Sequence, residues 1–377
     1  MDPKILGLVF LLTAYFYLHS AFAYWAPGFV RFPNNVCNTL ENFSGVCLRK
    51  SQCAETGGVS SGTCANGIGR CCLHQGTCGG SSRYNNTYFI NTNFPNPAGT
   101  ASFCTFSIIP ESRSICQIRL DFLSFTLSQP DGTGRCVFDS FIVTGAGSTV
   151  PIICGENTGQ HVYLMVNGVD PIQLSITIST LVSLSRSFNI KITQIACDCP
   201  TLAPAGCLQY YTAPSATVSS FNYGMDLNGN INNFGNGTMV AGTRQLANTN
   251  YGICVNMLPG FCSITWAQSA DPTSFTITQD TAADATVSGL PSNPLVGGNC
   301  TTDYVVIPNP YYPNRTAVMG TDRFCGNQFL TVTTSSKPFV LRTVTDGNEN
   351  ADAANRGFAL TYSQQACSNT DALVLGK

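Results

Sequence analysis

Charge is what this sequence has least of. Of 377 residues, 18 are basic and 20 acidic, so charged side chains make up 10%, well under the ~25% usual for globular domains. A chain so poor in Lys and Arg offers no field for phosphates, which argues against nucleic acid as a partner. Histidine is scarce too: His19, His74 and His161 are the full set. That leaves little for histidine-based catalysis or zinc ligation. No Gly-x-Ser-x-Gly elbow and no Gly-Asp-Ser-Gly-Gly occurs, and no Gly-rich phosphate loop follows a strand and opens a helix. Past the N-terminus no run approaches 18 consecutive apolar residues, so no membrane span is expected. These absences point to a protein without catalytic activity.

What is present begins with a secretory pattern. Lys4 gives a small positive start, Ile5 to Leu18 is apolar, and Ala21-Phe22-Ala23 provides small residues around a cleavage point, so residues 1–23 read as a signal peptide. Secretion makes disulfides the expected fate of the 19 cysteines. Sequons stand at Asn42, Asn85, Asn236 and Asn314, which are expected glycosylation sites on exposed surface. A fifth, Asn299, has Cys300 as its middle residue and is the weakest. Hydrophobic residues at 44% exclude wholesale disorder. The length suits two or three domains at roughly 150 residues each.

The cysteines fall into three groups of six, over 37–72, 78–197 and 207–367, with Cys199 left over. The second and third groups read as copies of one unit. Cys136-x-x-Asp139 answers Cys300-x-x-Asp303, and Cys154-Gly155 answers Cys325-Gly326. Arg186-Ser187-Phe188 answers Arg356-Gly357-Phe358, and the closing Ala196-Cys197 answers Ala366-Cys367. The Cys-Gly pair precedes the last cysteine by 43 residues in one copy and 42 in the other. Phe221 to Gly242 and Thr278 to Gly298 are rich in small residues and read as enlarged surface loops. Period-two alternation in Gln117–Phe122, Ile172–Ile178, Phe188–Ile192 and Phe358–Tyr362 marks strands with one buried face. With no helical stripe between Cys78 and Cys367, the fold class is all-β, and short strands with Gly/Pro/Asn turns suggest β-sandwiches.

The ordered set of markers, seen twice, resembles the CUB domain, so 78–197 and 207–367 are two CUB-like domains. The resemblance implies antiparallel sandwiches of jelly-roll type used for extracellular recognition. It also implies the pairs Cys78–Cys104, Cys136–Cys154, Cys207–Cys254 and Cys300–Cys325. Repeat symmetry adds Cys116–Cys197 and Cys262–Cys367, with one of Cys197, Cys199 and Cys207 a free thiol or an intermolecular bridge. Residues 37–72 resemble the clip domain of arthropod secreted proteins. Six cysteines end in adjacent Cys71-Cys72, although the Cys53 to Cys64 gap is short for a clip. The whole therefore resembles CUB-containing secreted proteins of insects, without their protease domain.

No cofactor is required by anything else in the sequence, but the resemblance raises Ca²⁺. CUB sites use a Glu and two Asp. In the first copy only Asp139 matches and Ser128 stands near the Glu position, so no site is expected there. The second copy keeps Asp303 and Asp346, with the Glu position near Thr278 or Gln279 and Asp280 just beyond. Binding aromatics are sought in Tyr210-Tyr211, Phe221, Tyr223 and Tyr311-Tyr312, taken as exposed. The expected function is non-catalytic recognition of an extracellular protein or glycan. The alternatives are a regulator or cofactor of a secreted serine protease cascade, docking through the clip-like module, and a matrix or coat component.

Overall fold

The computed structural model describes residues 32–98, 102–181, 184–224, 243–271, 274–277, 294–313, 319–347, 349 and 355–367. The expected signal peptide, Asn236, Asn314 and the Thr278–Asp280 stretch lie outside them. The chain divides into two compact units, one reaching Cys72 without residues 57–59, the other comprising 57–59 and everything from Leu73.

The first unit is small and cross-linked. Strands β1 (Val36–Asn38), β2 (Ser44–Leu48), β3 (Val59–Cys64) and β4 (Gly69–Gly76, of which 69–72 belong here) accompany one short helix, α1 (Lys50–Glu55). β2 lies between β1 and β4, and β3 pairs with β4. Disulfides Cys37–Cys71, Cys47–Cys64 and Cys53–Cys72 cross it. Its buried cluster is Leu48, Cys53 and Cys72 with Val46 against them, so cystine sulfur supplies much of the core.

The first repeat contains β5 (Gly80–Ser82), β6 (Thr87–Ile90), β7 (Ser102–Ile108), β8 (Ile115–Thr126), β9 (Ser140–Thr144), β10 (His161–Met165), β11 (Ile172–Ile178) and β12 (Ser187–Ala196). One sheet runs β6-β12-β8-β10, the other β5-β7-β11-β9. Alternation decides the inward faces: Phe106, Leu174, Ile176 and Phe141 from one sheet meet Phe89, Ile190, Leu120 and Phe122 from the other in a single core. The Phe89–Phe106 rings stack at 5.0 Å and Phe122–Phe141 meet edge-on at 5.7 Å, so the aromatics join the two sheets directly.

The second repeat contains β13 (Cys207–Tyr211), β14 (Ser215–Ser219), β15 (Asn250–Val255), β16 (Phe261–Gln268), β17 (Phe275–Thr276), β18 (Pro294–Val296), β19 (Tyr304–Val306), β20 (Arg323–Gly326), β21 (Val332–Thr334), β22 (Phe339–Val344) and β23 (Gly357–Ala366). Its sheets run β13-β15-β22-β19-β20-β18 and β14-β23-β16-β21, with β17 beside β23. The order β13-β15-β22-β19 reproduces β5-β7-β11-β9, down to the parallel first pair, and β14-β23-β16-β21 reproduces β6-β12-β8-β10. Trp266, Tyr362, Phe275 and Phe324 fill the core. One expectation needs correcting: the end of the Thr278–Gly298 segment is not loop. Pro294–Val296 pairs with β20 and Gly297–Asn299 forms a 3₁₀ turn. Apolar Leu295 and Val296 suit a ladder, and Pro294 is tolerated at a strand's first position.

Disulfides Cys78–Cys104, Cys116–Cys197 and Cys136–Cys154 close the first repeat, and Cys207–Cys254, Cys262–Cys367 and Cys300–Cys325 the second. Cys199 remains a thiol, half-buried, 3.1 Å from the Thr201 hydroxyl.

Candidate functional site

Three places collect polar side chains: the Asp139 end of the first repeat, the Asp303 end of the second, and the contact between them. The Cys136–Cys154 bridge anchors the loop before β9 and delivers Asp139, fully buried, beneath it. Its Oδ2 accepts from the Ser128 N–H at 2.7 Å, the Ser128 hydroxyl at 2.7 Å and Arg186 Nε at 2.8 Å. Oδ1 accepts from the Ser179 N–H at 3.0 Å and Arg186 Nη2 at 3.2 Å. Arg186 is itself buried and also donates to the Ser179 and Leu184 carbonyls. Burial alone would raise the Asp139 pKa, but the Arg186 guanidinium and the Ser179 and Ser128 donors outweigh it and hold the carboxyl below its ordinary range. Five donors and a fixed cation leave this carboxylate no capacity for a metal ion. Arg186 carries the site, yet in the sequence it is only a spacing marker. The available signal was a basic residue aligned with a buried Asp in a chain with few charges.

In the second repeat Asp303 is also fully buried, and its Oδ1 accepts the Asp346 N–H at 2.8 Å. The structure therefore brings these two sequence-expected residues together. The carboxylate captures the backbone of the Thr345–Gly347 loop, while Thr345 Oγ1 bonds the Leu246 carbonyl and the Thr249 N–H. Arg356, aligned with Arg186, donates its backbone N–H to Thr276 and lies in the field of Tyr223, whose hydroxyl meets Asp271 at 3.2 Å. Among the described residues, no three His, Cys, Asp or Glu side chains cluster as a metal site.

The contact between the repeats overturns several expected exposures. Tyr210 and Phe221 are buried, at 6% and 2% exposure, and Tyr211 and Tyr223 are half-buried. The first repeat covers Tyr210 and Tyr211, whereas Phe221 packs on Tyr251 at 4.9 Å and Tyr223 meets Asp271, both within the second repeat. Tyr210 packs on Tyr163 of β10, and Tyr211 meets the His161 ring at 4.9 Å. The Tyr210 N–H donates to His161 Nε2 at 3.0 Å. Gln117 and Ala203 exchange two hydrogen bonds, side chain to backbone. Asn222, fully buried, offers Oδ1 to the Glu156 N–H and donates through Nδ2 to Gln129, while its own N–H reaches Asn157 Oδ1. Gly155 makes room for it: φ is +77°, and a Cβ there would fall 1.9 Å from Asn222 Oδ1. Last, the Gly134 carbonyl accepts from Ala247 and Arg135 donates to the Gly347 carbonyl.

The remaining expected sites are scattered. Tyr311 and Tyr312 are half-buried, and Tyr311 bridges to Thr333. Asn42 is exposed; Asn85 is half-buried and its Oδ1 accepts the Gln194 N–H. His74 lies buried in β4 and stacks on Tyr84 at 4.3 Å, because its stretch pairs with β6.

Comparison with known proteins gives one family match: residues 204–365 fit the animal CUB domain. No curated protein matches the chain. The CUB1-EGF-CUB2 domains of rat MASP-1 align at 14% identity and TM-score 0.26, covering 77% of this chain and 100% of that one. The same region of human MASP-1/3 aligns at 15% and 0.25, covering 74% and 98%. The MASP-1 CUB2 domain bound to Ca²⁺ aligns at 16% and 0.26, covering 31% and 98%. The chain is thus a CUB-domain-containing protein with disulfide-rich regions, the domain identified is non-catalytic, and no catalytic motif is evident. No helix among the described residues is long and apolar enough to cross a membrane.

Proposed function

We propose that this is a secreted, non-catalytic docking protein of an extracellular complex, built from a clip-like module (37–72) and two CUB-like sandwiches (78–197 and 207–367). The observation that carries this is the CUB match over 204–365, preceded by a repeat of the same strand order. Nine disulfides suit an oxidising exterior. The partner is a secreted serine protease or a protein of its cascade, and the chain acts as regulator or cofactor. Two features support this: the clip-like module, and the two CUB domains that MASP-1 carries in its CUB1-EGF-CUB2 region. Recognition of another extracellular protein or a glycan by the CUB-like domains alone is the second reading. Pull-down from body fluid with the intact protein and with residues 74–377 separates them. Protease partners lost on truncation support the regulator; an unchanged partner set gives recognition to the repeats.

Calcium belongs to the same proposal. The first repeat does not fit the ion, because Arg186 already neutralises Asp139. In the second, the Asp303 carboxylate accepts the Asp346 backbone N–H, and their two carboxylates would supply two of the six to eight oxygens Ca²⁺ takes. Bound there, the ion would order the loop that Asp303 holds. Calorimetry should show one weak Ca²⁺ event, lost in Asp346→Ala and kept in Asp139→Asn. Heat that persists in Asp346→Ala removes the assignment.

A further inference from the structure

We propose that the contact between His161 and the Tyr210 backbone is an acid-released latch holding the two repeats together. The hydrogen bond runs from the Tyr210 N–H at the start of the second repeat to Nε2 of a 6%-exposed imidazole in the first. Only a neutral ring can accept it. A proton on Nε2 removes the acceptor and sets two N–H groups against each other in a buried contact, which costs the closed arrangement directly.

The surroundings do little to rescue an imidazolium. On β10 the ring faces Tyr163 edge-on at 5.6 Å, and β13 contributes Tyr210 and the Tyr211 ring, itself packed on Tyr362 of β23. From β8 come Asp121, the cross-strand neighbour of His161, and Arg119. Asp121 is already bonded to Arg119 at 2.7 Å, and Lys191 of β12 pairs opposite Asp121. Burial first, then the Arg119 charge, push the His161 pKa down to about 4, against the opposing pull of Asp121. When the repeats separate, the ring regains water and its ordinary value near 6.5. The open state then binds the proton first, so the latch is at full strength above pH ~6.5 and fades as pH falls towards ~4. A fall in pKa from 6.5 to about 4 changes the closed-to-open ratio by about 30-fold at pH 5, about 160-fold at pH 4 and at most about 300-fold below that.

Amide hydrogen exchange on the full chain tests this, with rates corrected for the pH dependence of exchange itself. Protection of the Tyr210 amide should fall about 30-fold from pH 7.5 to 5, and the Ala203 and Asn222 amides, on the same contact, should fall with it. The Trp266 amide, in the core of the second repeat, should not. His161→Gln keeps an oxygen acceptor without a titrating group, and its protection should be flat over this range. His161→Phe, with no acceptor, should show reduced protection at pH 7.5 already. Loss at Tyr210 alone, equal loss in wild type and His161→Gln, or no loss in wild type by pH 5 would each overturn the latch.

Discussion

Arg186→Met is expected to destabilise the first repeat by about 3–5 kcal/mol, because it strands the Asp139 carboxylate in a buried site. In thermal unfolding this is a fall on the order of 10 °C for a unit of this size. Asp139→Leu alone should cost a similar amount by stranding the guanidinium. The double variant, with an apolar pair of comparable volume, should recover much of the loss, since a buried ion pair is often replaceable by well-packed hydrophobes. A double-mutant cycle measures the coupling; two single losses that simply add would show the pair to be independent. The pair also has an acid limb. Asp139 is held below its ordinary range, so its contribution is present above the unfolded value near ~3.9 and lost as pH falls through the lower folded one. The double variant should lack that limb.

The second large effect concerns the N-terminal unit. Cys53→Ala with Cys72→Ala should unfold it at 25 °C and leave the residues from Leu73 on intact. The three bridges span 17 to 34 residues, each worth about 3 kcal/mol by chain-entropy arithmetic. A module this small has no reserve to absorb the loss. Here the bridge is also core, since Cys53 and Cys72 are two of the three members of its buried cluster. Exchange of the amides in 37–70 should become unprotected, with near-ultraviolet dichroism of the repeats retained. Amides that stay protected in the variant would show that the sheet stands without this cross-link.

Strands were the legible part of the sequence because alternation is local. Ile172 to Ile178 announces a buried face without help from elsewhere, and β11 follows it residue by residue. The repeat was legible too, since its markers recur in order. Arg186 was not: its partners Ser128 and Asp139 lie 58 and 47 residues away, and nothing nearby says which carboxylate it will meet. Tyr210 and Phe221 failed for the same reason. Tyr210 sits in β13 and is buried by Tyr163 and His161 of the other repeat, while Phe221 packs on Tyr251, 30 residues along its own repeat, so neither neighbour can be read locally. Pro294–Val296 shows that a small-residue segment can end in a strand when two apolar residues find an open sheet edge.

The Asn222 pin bears on how strongly a tandem can hold a partner. With Gly155 closed over that side chain and only the stretch from Cys197 to Cys207 between the repeats, the two repeats would act at neutral pH, with the latch closed, like the fixed jaws of a caliper. A partner long enough to touch both loses little further freedom on its second contact, because the spacing is set before it arrives. One of the wrong length gains almost nothing from the second jaw. Length discrimination would then come from the scaffold, with each single contact free to remain weak.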